Sequence, residues 1–206
     1  MLQTHPMKNK EAPFHTVNLM SSEDCELVKR AQMGENAAFK TLVERHQQTI
    51  YNLCYRMLKQ REEAQDATQE TFLKAYRSLK EFRYESRFKT WLCRIATHEC
   101  LNRMRHQEYL SLDEMQAEDA HVQIADSAPS PLERIERKEV QSMIHRAVDA
   151  LPHPYRLVIT LYHLNELSYA EIAQAMDVPI GTVKTYLFRA RALLKSKLKN
   201  FVEGEE

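Results

Sequence analysis

The 206-residue chain is predicted to be all-α, built as two small helical domains joined by a flexible linker. Three observations carry that expectation. Glycine is nearly absent, at Gly34, Gly181 and Gly204, while Ala, Leu, Glu, Lys, Arg, Gln and Met abound, a composition that favours helix over strand. Apolar residues recur at helical spacing in most segments. From His106 to Pro131 that pattern lapses, acids dominate, and Ser127-Ala-Pro-Ser-Pro131 stiffens the chain into an extended form.

Taken in order, residues 1–20, with Pro6, Pro13 and no apolar period, are expected as a disordered tail. A four-helix domain is placed at 21–106. Its first helix ends near Met33, where Gly34 breaks it, and Asn36 is expected to cap a longer helix striped by Phe39, Leu42, Val43, Ile50, Leu53 and Leu58. A third helix is expected from about Glu62 to Leu79. After the polar, aromatic segment Lys80 to Arg87, a fourth runs from Phe88 to Arg105 with Trp91, Leu92, Ile95 and Ala96 turned inward. The acidic linker is placed at 107–131 and a second helical domain at 132–202. This domain opens with the stripe Ile135, Val140, Ile144 and Val148, is interrupted at Leu151-Pro-His-Pro154, and resumes at Tyr155 to Leu164.

From Leu167 to Arg191 the pattern is that of a helix-turn-helix. Ser168 with Glu171 three residues on is a capping box, in which each side chain satisfies a free backbone N–H at a helix start. Ile172 and Met176 face inward, small Ala173 permits a close crossing, and Asp177-Val-Pro179 makes the turn. The next helix turns Val183, Leu187, Ala190 and Leu194 inward. That register sets Thr182, Lys184, Thr185, Tyr186 and Arg189 on or near the outer face, where hydroxyls and cations suit phosphates and base edges of a major groove.

Zero net charge argues against a nucleic-acid partner until the local blocks are read. Lys74, Arg77, Lys80, Arg83, Arg87, Lys89, Arg94, Arg103 and Arg105 stand against Glu81, Glu85 and Glu99, and from Lys184 to Lys199 every charged residue is positive. The acids collect in Glu62 to Glu70 and in the linker.

These motifs resemble those of bacterial sigma factors. Leu151-Pro152, Tyr155-Arg156, Ser168-Tyr-Ala-Glu-Ile-Ala173, Gly181-Thr-Val-Lys-Thr185 and Arg189-Ala-Arg191 are similar to the C-terminal, region 4 domain of that family. Asp66-Ala-Thr-Gln-Glu-Thr-Phe-Leu-Lys-Ala-Tyr76 resembles its core-polymerase binding helix, and Phe88-Lys-Thr-Trp-Leu-Cys-Arg-Ile-Ala96 its promoter-melting segment in region 2. Two domains with only a short linker between them resemble the compact extracytoplasmic-function (ECF) group. The resemblance implies that Asp66, Gln69, Glu70 and Phe72 dock on core RNA polymerase, where carboxylates meet a basic coiled coil. It implies that Phe82, Arg83, Tyr84, Ser86, Arg87 and Lys89 capture minus-ten bases, since unstacking costs a few kcal/mol per step and calls for aromatic faces beside cations. Asn102, Arg103 and Arg105 are implied as duplex contacts nearby. Thr182, Lys184, Thr185, Tyr186 and Arg189 become the reader of the minus-thirty-five element. The chain departs from the family pattern at His98, where asparagine is usual, at Asn102, where aspartate is common, and at Asp177, where a turn glycine is frequent; Asp tolerates left-handed backbone better than most residues.

The expected partners are therefore core RNA polymerase, promoter DNA and an anti-sigma protein. No cofactor is expected. The four cysteines, Cys25, Cys54, Cys93 and Cys100, read as free, small buried side chains, and Cys93, His98 and Cys100 lack metal-ligand spacing. No phosphate loop, nucleophile elbow or paired carboxylates point to an enzyme. No apolar run is long enough to insert in a membrane and no signal peptide begins the chain, so a cytoplasmic protein is expected. The competing readings are a stand-alone dimeric helix-turn-helix regulator, which would bind paired half-sites unaided, and a polymerase-associated adaptor that reads no DNA.

Overall fold

The computed structural model of the protein describes residues 23–111 and 142–203, and these are helical with no strand among them. The expected tail at 1–20, most of the expected linker, and Ile135 and Val140 lie outside the described residues. Helices α1 (Glu23–Gln32), α2 (Asn36–Leu58), α3 (Arg61–Ser78) and α4 (Phe88–Ser111) form one bundle, with a 3-10 turn at Leu79–Glu81 before α4. A second bundle holds α5 (142–149), α6 (His153–Ile159) running into a π-helical turn at Thr160–Leu164, α7 (Tyr169–Met176) and α8 (Ile180–Glu203).

In the first bundle α2 is the central element, burying Leu42, Ile50, Leu53, Cys54 and Met57 against α1, α3 and α4. Gly34 closes α1 at φ 95, a left-handed backbone that glycine adopts without steric cost. Asn36 does not cap α2 as expected. The N-cap is Glu35, which makes no side-chain cap bond; its carboxylate is held by the Arg30 guanidinium instead. Asn36 is the first helical residue, and its Oδ1 accepts the Tyr76 hydroxyl of α3 at 2.9 Å. On α4, Leu92, Cys93, Ala96 and Cys100 are fully buried, and small side chains at three of these positions let the helices approach closely. All four cysteines are buried and none is in a disulfide. Burial pushes the Cys93 thiol up to about 12. The helix continues to Ser111, six residues beyond its expected end.

The second bundle is smaller. Leu151, Leu157, Val158, Leu161, Ile172, Val183 and Leu187 make its centre, each at most 2 % exposed. A fully buried side chain of this kind contributes roughly 1.5–3 kcal/mol relative to exposure. Ile144, expected on the inward stripe, is instead exposed while Val148 is buried, so only one end of α5 meets the bundle.

The two bundles pack on each other, an arrangement that no local sequence pattern predicts. α4 lies along α7, and α2 meets α6. Thr90 donates its hydroxyl to Glu171 at 2.9 Å, Arg87 approaches the same carboxylate at 3.5 Å, and Arg94 stands 3.6 Å from Asp177. Deeper in, Asn165 donates to the Cys93 sulfur at 3.6 Å. Arg56 of α2 bonds Asp149 at 3.1 Å, and Arg156 of α6 donates to the backbone carbonyl of Arg56 at 3.3 Å.

Candidate nucleic-acid interface

The helix-turn-helix forms as its residues dictate. Ser168, in extended backbone, accepts the Glu171 N–H at 3.3 Å, and the Glu171 carboxylate accepts the Ser168 N–H at 2.9 Å, closing the capping box. Burial pushes the Glu171 carboxyl up, but bonds from the Ser168 backbone and hydroxyl, the Thr90 hydroxyl and the Arg87 charge outweigh it and hold the group below the usual range. Asp177 ends α7 in left-handed backbone, φ 57 and ψ 45, so the turn is made without glycine.

Along α8, Lys184, Thr185 and Arg189 are exposed and Thr182 is half-buried. Tyr186 is not on that face. It is half-buried, its ring set edge-on to Tyr155 of α6 at 5.7 Å, because its helical angle points into the seam between the two helices. Phe188 was missed by the sequence reading, which assigned no role to it, yet it is 76 % exposed between Lys184 and Arg189. Five basic side chains, Lys184, Arg189, Arg191, Lys195 and Lys199, are exposed along the described part of the helix.

The minus-ten candidates divide. Arg83 and Arg87 are exposed and Ser86 and Lys89 half-buried. Phe82 is 7 % exposed, packed with Tyr84, Trp91 and Phe88 at ring distances of 5.1, 5.0 and 6.0 Å. It is therefore the anchor of the loop and offers bases no free face. Tyr84 leans on that anchor with its backbone left-handed at φ 60. Beyond, Asn102 and Arg105 are exposed. Arg103 is engaged within the bundle, donating to Glu99 at 2.6 Å and to Glu63 at 2.9 Å, so it braces α4 against α3 and presents no free cation.

On α3 the buried face is Ala64, Ala67, Thr71, Phe72 and Ala75. Asp66 and Gln69 are exposed, and Glu70 is half-buried with Arg77 at 3.9 Å. Phe72, expected as a docking residue, is 8 % exposed and belongs to the core, because it falls at the edge of the buried face and turns inward. The exposed stripe carries Leu73 at 49 % and Tyr76 at 48 % in its place.

The fold and these surfaces define a two-bundle helix-turn-helix protein whose chemistry is binding. Among the described residues, no group of His, Cys, Asp or Glu could hold a metal, and no helix is long and apolar enough to cross a membrane. Residues 42–109 match the Sigma-70 region 2 family, and residues 141–194 match Sigma-70, region 4. The RNA polymerase sigma-H factor of Pseudomonas aeruginosa is 38 % identical over 186 residues, covering 88 % of this chain and 96 % of that one. The ECF RNA polymerase sigma factor SigW of Bacillus subtilis is 35 % identical over 178 residues, covering 84 % and 95 %. Among solved structures, the sigma factor RpoE of Bartonella quintana with the anti-sigma factor NepR shares the fold at TM-score 0.66 and 24 % identity, covering 78 % of this chain and 96 % of that one. CnrH in complex with the cytosolic domain of CnrY does so at TM-score 0.61 and 23 % identity, covering 89 % and 99 %. The chain belongs to the sigma-70 family, within its ECF group. As a sigma factor it serves promoter recognition and transcription initiation by RNA polymerase, which does not favour the stand-alone regulator.

Proposed function

We propose that this chain docks on core RNA polymerase through the exposed stripe of α3 and grips a promoter at two points. Asp66, Gln69 and Glu70, joined by Leu73 and Tyr76, form the docking face. Arg83, Tyr84, Ser86, Arg87 and Lys89, with Asn102 and Arg105, read and capture the minus-ten element, while Thr182, Lys184, Thr185, Phe188 and Arg189 read the minus-thirty-five element. The first unit extends through α4 to Ser111 and the second covers 132–202, with the acidic segment between them joining the two. The outer face of α8 carries the reading: an exposed aromatic flanked by cations and hydroxyls, on a helix set by a capped partner, is the chemistry of groove recognition. The protein acts in the cytoplasm by binding alone, without catalysing a reaction. An anti-sigma protein that masks these surfaces belongs to the same reading.

Run-off transcription tests it. Purified core polymerase supplemented with this chain is expected to initiate selectively from a small subset of a promoter library, and Lys184→Ala with Arg189→Ala is expected to remove most of that initiation. Tight duplex binding by the chain alone, with no gain in initiation, would return the regulator to first place.

A further inference from the structure

Gln32 closes α1, yet every polar atom of its side chain serves a segment some fifty residues away. Its Nε2 donates to the Leu79 carbonyl at 2.8 Å and to the Phe82 carbonyl at 3.1 Å, and its Oε1 accepts the Tyr84 hydroxyl at 2.7 Å. A primary amide has two N–H donors and one carbonyl oxygen, so this grip uses both donors and the acceptor at once.

The gripped segment needs an external support. It is a single 3-10 turn at Leu79–Glu81, then extended backbone at Phe82 (φ −68, ψ 115), then left-handed backbone at Tyr84 (φ 60). A left-handed non-glycine residue is sterically disfavoured and persists where the surroundings hold it. The buried Phe82 ring holds one side of the loop against Phe88 and Trp91. On the other side Gln32 takes the two carbonyls that bracket the turn and the hydroxyl of the strained tyrosine. The exposed Arg83 thus projects between two points fixed by a residue outside the loop.

We propose that Gln32 is a positioning residue for minus-ten recognition: its amide holds the 82–87 loop in the shape that presents Arg83, Tyr84 and Ser86 to captured bases, and so sets base preference there without touching DNA. This rests on the reading of that loop as the minus-ten reader.

The test uses the full chain with core polymerase and single-stranded oligonucleotides carrying each base in turn across the minus-ten element. Q32L keeps the side-chain bulk and removes all three bonds. It is expected to weaken binding of the preferred strand about tenfold, equivalent to about 1.4 kcal/mol, and to flatten the ranking of bases. Binding of a duplex bearing only the minus-thirty-five element is expected to stay unchanged. Adding Y84F to Q32L is expected to cost less than Y84F alone, because the two share one bond. A base ranking that keeps its shape in Q32L, with all strands weakened equally or not at all, overturns the proposal. Should Q32L destabilise the bundle, Y84F alone, which removes one arm of the grip, must flatten the same ranking or the proposal falls. R83A separates the two levels: if it weakens minus-ten binding and Q32L does not, positioning by Gln32 is wrong, whereas no effect of R83A removes the loop reading itself and the proposal with it.

Discussion

Phe188 stands in solvent on the basic face of α8, 76 % exposed, where no packing requires it. An aromatic ring there can lie against thymine methyl groups, while Lys184 and Arg189 beside it act on phosphates or guanine edges. The two kinds of contact predict different failures. F188A is expected to flatten preference at one or two base pairs of the minus-thirty-five element by about 1–3 kcal/mol, as read by competition binding of the holoenzyme to promoter variants. K184A is expected to weaken all sequences alike and to reduce the salt slope by about 1. Equal losses on all sequences for F188A would remove it from the reading face. The misplacements at Phe72 and Tyr186 share one cause. Each aromatic lies near the border between a buried and an exposed face, where helical periodicity leaves the orientation open and neighbouring elements decide it. Lys184 and Arg189, by contrast, sit well inside an exposed face and were legible from spacing, while Asp66 and Gln69, also exposed, came from the family resemblance.

At the scale of elements, the legible features were those fixed by a few adjacent residues. The Ser168–Glu171 box and the left-handed turn at Asp177 involve residues within one helical turn of each other, and both formed as expected. The cap at Asn36 failed because Arg30 and Tyr76, from outside the helix, take the groups that would have capped it. Gln32 was invisible for the same reason at longer range, since its partners lie 47 to 52 positions away. Ser168→Ala is expected to cost about 1 kcal/mol in urea unfolding while leaving α8 helical by circular dichroism. A loss within error would mean that packing on α4, and not the box, holds the start of α7.

At the scale of the whole molecule, the two bundles meet through α4 and α7, and the contact occupies Arg87, Thr90 and Arg94. Promoter elements named for positions minus-thirty-five and minus-ten lie some 25 base pairs apart, roughly 85 Å of duplex at about 3.4 Å per pair. Under the proposed two-point grip, bundles in contact cannot hold both, and the clasp between α4 and α7 opens on the promoter. Thr90→Val removes the hydroxyl bond to Glu171 and keeps the side-chain shape; a hydrogen bond to a charged group contributes about 1.5–3 kcal/mol, so the open fraction is expected to rise at least about tenfold, as read by energy transfer between labels on α2 and α8. An unchanged distance distribution would show that apolar packing alone holds the bundles together. Acid acts on the same carboxylate. Because the folded pKa of Glu171 is depressed, its stabilisation is complete above the ordinary glutamate value of about 4.3 and is lost as pH falls through the lower folded value. Stability in urea unfolding is therefore expected to be flat through neutral pH and to fall only below that range. The clasp also bears on how tightly a promoter is held. A duplex that engages only the open form binds with a dissociation constant raised in inverse proportion to the open fraction, so under the proposed two-point grip Thr90 and Glu171 help set promoter affinity, although neither lies on a reading face.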